Sequence, residues 1–446
     1  MASAGECDLR DGSTLFALVR GVQPVQSTGF AFASVRADGS VVAWGHWQFG
    51  GDSSAVQGQL SGVRQVWSTE RAFAALRDDG RVVTWGSWGH GGNSAAVQEL
   101  LASGVRCVYS TDRAFAALKS TGRVVAWGDR TCGGDCAAVQ QQLKKGVLRI
   151  HANSCAFAAV REDGSVVTWG HRDYGGDSSA VQDLLAWDVR HVCPARQAFA
   201  AVTGNGCVVT WGHRGCHAEG LVLQQRLLAG VERIRATDSA FAAVKEDGSV
   251  VTWGRSECGG DSSSVAEGLA SGVRQIFSTS QAFAAVKEDG SVVTWGHAGS
   301  GGDSGAVREQ LRDVQHVYAT SQAFAAVRRD GSVVAWGDPD HGGDSTAVRE
   351  ELSSVRSVRA TGSAYGAAFA ALLADGSVVT WGHPSYGGDS SKVRPLLAGG
   401  VQHVSSTHRA FAAAKCDGSV VAWGDRGYGG DSGAIGALLS RDVLHL

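Results

Sequence analysis

Two cysteines and two histidines cluster near the middle of the chain. Cys207, His213, Cys216 and His217 lie within eleven residues. Thiolate and imidazole are ligands that Zn²⁺ prefers in proteins. The segment contains neither a C-x-x-C nor an H-x-x-x-H pair, so these four residues are only weak candidates for a metal site. The pair Cys132 and Cys136 has finger-type spacing but lacks a second pair of ligands.

Acidic and histidine side chains recur at fixed places. Gly-Gly-Asp resembles calcium-binding nonapeptide repeats, but its copies are about 42 residues apart, so helix capping explains the aspartate better. A histidine after Trp-Gly either lines the mouth of a channel or is simply a polar residue at the end of a strand. Because five units carry it, the second interpretation is favoured. These five are His46, His171, His213, His297 and His383. No Ser/His/Asp order or phosphate loop stands out, so we expect neither an enzyme nor a cofactor.

Ten copies of one repeat fill the chain. The dipeptide Trp-Gly recurs every 41 or 42 residues, except for one interval of 45. A fixed period of this length indicates a repeat architecture, in which each unit buries its apolar faces only against its neighbours. The repeated tryptophans are Trp44, Trp85, Trp127, Trp169, Trp211, Trp253, Trp295, Trp336, Trp381 and Trp423.

The copy at 275–312 shows what one unit folds into. Asp289-Gly290 separates the apolar run AFAAV from SVVTWG, which predicts a hairpin with a type I′ turn. A third strand at Val273–Ser278 precedes the hairpin. The run Ser304–Leu311 predicts one or two turns of amphipathic helix, capped by Asp303 or Ser304. The predicted fold is all-β with short helices, built from ten units of three strands and one short helix.

These motifs resemble the regulator of chromosome condensation repeat family. The Asp-Gly pair, the Trp-Gly pair and the glycine four to five residues later are all kept, whereas Ala282-Phe283 and Gly301-Gly302 replace the family's His-Ser and Gly-Gln. The resemblance implies a β-propeller, and the propeller portion of HECT-type ubiquitin ligases is similar. Ten copies exceed the family's usual seven, so a closed ring and an open spiral are both compatible with the sequence. We favour closure, with the strand-like segment 442–446 completing the first blade.

The repeat defines the domain organisation. Residues 22–446 form the propeller-like domain, and residues 1–21 form an N-terminal extension that resembles the remnant of a ubiquitin-like module. The net charge of −3 and the absence of a basic block argue against a nucleic-acid partner. No apolar run is long enough to span a membrane. The cysteines occupy mostly non-equivalent positions, which favours reduced thiols, and we expect a monomeric cytoplasmic or nuclear protein.

The loop after Trp-Gly differs in every copy while its frame stays constant. Such a loop either carries a binding surface or is exposed and free to drift. The binding interpretation selects aromatic residues of these loops, because aromatic side chains anchor protein interfaces. They are Trp47, Trp88, Tyr174, Tyr386 and Tyr428.

Three functions follow from this interpretation. The first is a non-enzymatic scaffold that binds a protein partner through its loops. The second, implied by the family resemblance, is a substrate-recognition module related to HECT-type E3 ubiquitin ligases, although no HECT domain is present in this chain. The third, implied by the same resemblance, is guanine-nucleotide exchange on a small GTPase, although no long wedge-like insertion is present.

Overall fold

Ten three-stranded antiparallel sheets make up the fold. A computed structural model describes residues 25–218, 220–363, 365–431 and 433. In each sheet the strands pair in sequence order, with the second strand in the middle. We number the units one to ten, so that each contains one Trp-Gly pair. The N-terminal extension and the segment 442–446 lie outside the described residues.

The strands begin and end at nearly equivalent repeat positions in successive units. The first strands are β1 (Gln26–Ser27), β4 (Val63–Ser68), β7 (Val105–Ser110), β10 (Val147–Ala152), β13 (Val189–Pro194), β16 (Val231–Ala236), β19 (Val273–Ser278), β22 (Val314–Ala319), β25 (Val355–Ala360) and β28 (Val401–Ser406). The second strands are β2 (Ala31–Val35), β5 (Ala72–Arg77), β8 (Ala114–Lys119), β11 (Ala156–Arg161), β14 (Ala198–Thr203), β17 (Ala240–Lys245), β20 (Ala282–Lys287), β23 (Ala323–Arg328), β26 (Ala368–Leu373) and β29 (Ala410–Lys415). The third strands are β3 (Val41–Gly45), β6 (Val82–Gly86), β9 (Val124–Gly128), β12 (Val166–Gly170), β15 (Val208–Gly212), β18 (Val250–Gly254), β21 (Val292–Gly296), β24 (Val333–Gly337), β27 (Val378–Gly382) and β30 (Val420–Gly424).

The hairpin between the second and third strands differs in type from the prediction. In unit seven only Gly290 of the Asp-Gly pair has a positive φ, of 79°. The Gly290 amide donates to the Lys287 carbonyl, and the Lys287 amide donates to the Ser291 carbonyl. This is the three-residue loop in which a left-handed glycine follows a type I turn, so the type I′ assignment was wrong. Asp289 accepts a hydrogen bond from the Ser291 amide at 2.8 Å, which explains its recurrence.

Each third strand leads into a short 3-10 turn that the sequence did not predict. These turns are Trp47–Phe49, Trp88–His90, Arg130–Cys132, Arg172–Tyr174, Arg214–Cys216, Ser256–Cys258, Ala298–Ser300, Pro339–His341, Pro384–Tyr386 and Arg426–Tyr428. We call this element the loop turn of its unit. A left-handed glycine, such as Gly301 with φ of 90°, ends the loop turn in every unit except unit five.

The predicted amphipathic helix is present, but as a 3-10 helix in most units. These helices are Ser54–Gln59, Ala95–Val97, Ala137–Val139, Ser179–Leu185, Ser263–Val265, Gly305–Gln310, Thr346–Val348 and Ser391–Leu397, and unit five has the α-helix α1 (Leu221–Arg226). Ser304 is the N-cap residue, but its side chain makes no cap hydrogen bond, and Asp303 before it accepts one from the Gly305 amide at 2.8 Å. None of the helices in the described segments is long and apolar enough to cross a membrane.

The hydrophobic core lies between units, not within them. Phe283 and Trp295 of unit seven pack with Ala240 and Ala242 of unit six, and all four are buried. The two aromatic rings stack with centroids 5.1 Å apart, and the indole N–H of Trp295 donates to the Gly259 carbonyl of unit six at 3.0 Å. One face of each sheet therefore needs the preceding unit and the other face needs the following one.

Unit ten packs against unit one through the contacts that join consecutive units. The Ser68 hydroxyl of unit two donates to the Ser27 carbonyl at 2.5 Å, and the Ser27 hydroxyl donates to the Ser406 carbonyl of unit ten at 2.6 Å. The His408 amide likewise donates to the Gly29 carbonyl at 3.1 Å. Within the described residues, the array therefore closes on itself through contacts between the last and first units.

Candidate functional site

The loop turns lie together on one face of the ring, which we call the loop face. Each follows a third strand, and all third strands run in the same direction relative to their sheets. In unit one the His46 amide donates to the Phe30 carbonyl at 3.1 Å, and the Gly51 amide donates to the His46 carbonyl at 3.0 Å. These backbone bonds hold both ends of the turn, so the residues between them vary without disturbing the sheet.

The two tryptophans selected from the sequence are exposed on this face. Trp47 and Trp88 have 67% and 77% of their surface accessible. Both line a single groove of about 550 Å³ between units one and two, which we call the tryptophan groove. Large aromatic side chains at this level of exposure are candidates for anchoring a partner.

The tryptophan groove is largely uncharged. Among the described residues that line it, Asp52 alone carries a charge, and the remaining polar groups include the hydroxyls of Ser53, Thr84 and Ser87. Hydrogen bonds from the Ser54 backbone and side chain lower the pKa of Asp52, so this carboxylate is ionised at neutral pH. The groove thus offers two indole surfaces, several hydroxyl groups and one negative charge.

The three tyrosines selected from the sequence lie between units. Tyr386 is buried, and the Arg409 guanidinium of the next unit lies 4.9 Å from its ring centroid. The Tyr174 hydroxyl accepts a hydrogen bond from Gln197 of unit five at 3.3 Å. Tyr428 is half-buried and stacks on Phe30 of unit one. Contacts with neighbouring units thus account for much of each tyrosine's surface.

These tyrosines reveal a repeated contact that sequence reasoning missed. At five or more junctions the last residue of the loop turn contacts the residue before the second strand of the next unit. We call the two residues at these positions the seam pair. In units one and two the pair is Phe49 and Arg71, with the guanidinium 4.8 Å from the ring centroid. The two residues of a pair belong to different units. They lie 22 or 23 residues apart at most junctions, 26 apart between units eight and nine, and at opposite ends of the chain between units ten and one.

A smaller cavity of about 350 Å³ lies beside the turns that join the first and second strands. Backbone segments of units one, two, three, nine and ten surround it, together with the side chains of Glu70, Asp112 and His408. Burial raises the pKa of Asp112, and Glu70 adds to this effect. This cavity thus lies where five consecutive units of the ring, from unit nine to unit three, meet.

Unit five does not assemble its candidate metal ligands. Cys207 and His213 lie at opposite ends of β15, and no three His, Cys, Asp or Glu side chains in the described part of the chain form a metal-binding group. The His217 ring contacts the Gly212 carbonyl at 3.2 Å. Cys216 is fully buried, and burial raises its pKa to about 11, which disfavours the thiolate that would bind zinc.

The loss of Gly-Gly-Asp in unit five has a structural effect on unit six. Trp253 is 1% exposed, and among the described residues its indole N–H has no hydrogen-bond partner. In unit seven the equivalent Trp295 donates to Gly259, the first glycine of the Gly-Gly pair. Unit five carries His217 at that place, with an extended backbone (φ of −77°) where Gly259 is left-handed (φ of 93°), so the carbonyl that usually accepts is oriented differently.

No protein-family model and no curated protein matches the chain. Solved structures of repeat propellers do match. The CRINKLY WD40 ectodomain of the receptor kinase ACR4 from Arabidopsis thaliana is 16% identical, with a TM-score of 0.33 over 60% of this chain and 90% of that chain. Prp20p from Saccharomyces cerevisiae, which was characterised with its binding to Gsp1p and histones, is 15% identical, with a TM-score of 0.34 over 72% of this chain and 83% of that chain. Human WBSCR16 is 18% identical, with a TM-score of 0.33 over 54% of this chain and 78% of that chain.

Proposed function

We propose that this protein is a non-enzymatic scaffold that binds a protein partner on its loop face, with the tryptophan groove as the main contact. One observation carries the proposal: Trp47 and Trp88, from consecutive units, are both exposed and line the same groove. Keeping two indoles in water costs hydrophobic free energy that a bound partner would recover. The frame beneath them needs neither side chain for its own hydrogen bonds.

The groove suits a partner that inserts an apolar side chain between the two indoles. Asp52 would favour a basic group nearby, whereas the hydroxyls of Ser53, Thr84 and Ser87 are already hydrogen-bonded within the protein. Hydroxyls and a single carboxylate give little electrostatic attraction, so affinity would depend on apolar burial. We therefore expect binding that changes little with salt concentration.

The proposal is tested by affinity capture from native lysate followed by mass spectrometry. The variant is Trp47→Ala together with Trp88→Ala, and the matched control is Trp187→Ala. Trp187 is 68% exposed, as the groove tryptophans are, but it lies just before β13, at the opposite end of the sheets. A partner that wild type and the control retain and the double variant loses supports the proposal, and calorimetry with the purified partner then measures the affinity.

Equal retention by all three proteins would contradict the groove as the binding site. The identity of a captured partner also separates the two finer functions. A component of ubiquitin conjugation would favour the recognition-module hypothesis, whereas a small GTPase would favour nucleotide exchange.

A further inference from the structure

Two thiols from different units lie next to each other at the edge of the loop face. Cys132 ends the loop turn of unit three and is buried, and Cys155 precedes β11 of unit four and is half-buried. Their sulfur atoms are 2.6 Å apart. The two residues are the seam pair of units three and four.

The backbone fixes both cysteines in this arrangement. The Cys132 carbonyl accepts a hydrogen bond from the buried Thr111 hydroxyl at 3.0 Å. The Cys155 amide donates to the Asn153 side chain at 3.1 Å, and the Cys155 carbonyl accepts from the His171 amide at 2.9 Å. The backbone positions of both cysteines are thus imposed by the repeat frame.

Other seam pairs show what this position does. In one pair the Arg71 guanidinium packs on the Phe49 ring, and in another the rings of Tyr428 and Phe30 stack. Each pair fastens one unit to the next on the loop face. Units three and four place two thiols there, and two thiols can form a covalent bond.

We propose that Cys132 and Cys155 are an oxidation site, at which a peroxide converts the two thiols into a disulfide that joins units three and four. A bonded pair has a sulfur–sulfur distance of about 2.0 Å, so the two sulfur atoms lie roughly half an ångström from bonding distance. This proposal is independent of the function proposed for the tryptophan groove.

The reaction balances with hydrogen peroxide as the oxidant. One thiol loses its proton, and its sulfur attacks the peroxide O–O bond, which gives a sulfenic acid and one water molecule. The second sulfur then attacks the sulfenic sulfur, the S–S bond forms, and the displaced hydroxide leaves as water with the second thiol's proton. Two thiols are oxidised and one peroxide is reduced to two water molecules.

The surroundings predict that this oxidation is slow at neutral pH. Burial and the neighbouring Cys132 raise the pKa of the Cys155 thiol to about 12, so this thiol stays protonated. The thiolate is the reactive form, and a protonated buried thiol reacts slowly. The test therefore needs excess peroxide and a time course.

The experiment is peptide mapping of the full-length protein. After treatment with hydrogen peroxide, the remaining thiols are alkylated and the protein is digested with trypsin without reductant. Cys132 lies on the tryptic peptide 131–144 and Cys155 on the peptide 150–161. We expect these two peptides to be linked, lighter by two hydrogen atoms than their sum, with Cys136 alkylated.

The repeat itself supplies matched variants. Serine stands at the position of Cys132 in unit seven, as Ser300, and at that of Cys155 in unit six, as Ser239, so Cys132→Ser and Cys155→Ser place a residue that the frame already accommodates. Both should abolish the linked peptides. Cys136→Ser should keep them, because this cysteine shares the tryptic peptide but is not part of the seam pair.

A second readout is the melting temperature. A cross-link restricts the unfolded chain, so oxidised wild type should melt at a higher temperature than reduced wild type. The difference should vanish in Cys155→Ser and persist in Cys136→Ser. The proposal is overturned if Cys132 pairs with Cys136 inside one peptide, or if Cys132 and Cys155 are both alkylated after prolonged peroxide treatment.

Discussion

Tyr428 of unit ten stacks on Phe30 of unit one, with ring centroids 4.8 Å apart and an angle of 26° between the ring planes. This is the seam pair that joins the last unit to the first. Arg409 packs on the Tyr428 ring at 4.6 Å, and Arg71 packs on the Phe30 ring at 5.2 Å. A short stack of aromatic and guanidinium groups thus spans the junction that closes the ring.

A double-mutant cycle on Phe30→Ala and Tyr428→Ala tests this closure. We expect the two substitutions to be coupled by about 0.5–1.5 kcal/mol, because aromatic pairs contribute this much beyond the area they bury. Urea unfolding of wild type, both single variants and the double variant measures the coupling. Strictly additive losses would show that the rings do not interact in solution.

A second prediction separates core from loop tryptophans. Trp295 is 2% exposed, stacks on Phe283 and donates to Gly259. Trp295→Ala should cost about 3–5 kcal/mol, since it leaves a cavity and an unpaired carbonyl. Trp88→Ala should change stability by no more than about 0.5 kcal/mol, since the side chain is exposed. Equal effects of the two variants on unfolding would contradict the loop-face interpretation.

The Gly-Gly motif gives a third prediction. A Cβ at Gly134 would lie 2.5 Å from the Gly128 carbonyl oxygen, whereas a Cβ at Gly89 would meet nothing within 4 Å. Gly134→Ala should therefore cost about 1–3 kcal/mol through overpacking. Gly89→Ala should be tolerated to within about 0.5 kcal/mol. Thermal melting of the two variants measures both effects. Comparable losses of stability would show that the strand end relaxes to admit a methyl group.

The fourth prediction concerns acid. Burial, aided by Arg359, lowers the pKa of His403 to about 4. Between pH 6.5 and 4 this histidine takes up a proton on unfolding, so its contribution to stability falls as the pH falls. Above pH 6.5 it is neutral in both states and has no such effect.

His403→Gln should therefore reduce the acid sensitivity of the protein. Glutamine stands at the equivalent position in units two and seven, as Gln65 and Gln275, so the frame accommodates it. Across this window, we expect the free energy of unfolding of the variant to fall by up to about 1.4 kcal/mol less per pH unit than that of wild type. Urea unfolding from pH 7.5 to 4 at constant ionic strength measures the slope. Parallel curves for variant and wild type would refute the assignment.

Local patterns in the sequence predicted much of the fold correctly. The Asp-Gly hairpin, the strand before it and the capped helix after it follow from residues adjacent in the chain, such as Asp289-Gly290 and Asp303. The turn type was wrong because glycine's freedom to adopt positive φ suits both a type I′ turn and a glycine that follows a type I turn. The helix type was open for a similar reason, since one or two turns are too short for sequence periodicity to separate 3-10 from α geometry.

The sequence alone also identified Trp47 and Trp88, because these two tryptophans lie in variable loops of an otherwise constant repeat. The tyrosines were selected by the same logic, yet Tyr386 packs under Arg409 of the next unit. Whether a loop aromatic faces solvent or a neighbour depends on the residue opposite it, and that residue belongs to another repeat. The cysteine pair was missed for this reason too, since Cys132 and Cys155 are 23 residues apart and belong to different units.

The sequence by itself determined the main parts of the unit: its three strands, its Asp-Gly hairpin, its short helix and the number of its copies. Periodic apolar residues and short-range hydrogen bonds specify these features within about 40 residues. Only the tertiary structure decided how the units meet. The closure of the ring at Phe30 and Tyr428, the shared cores and the seam pairs depend on side chains from different units, and their fit is a matter of packing geometry that no single repeat contains.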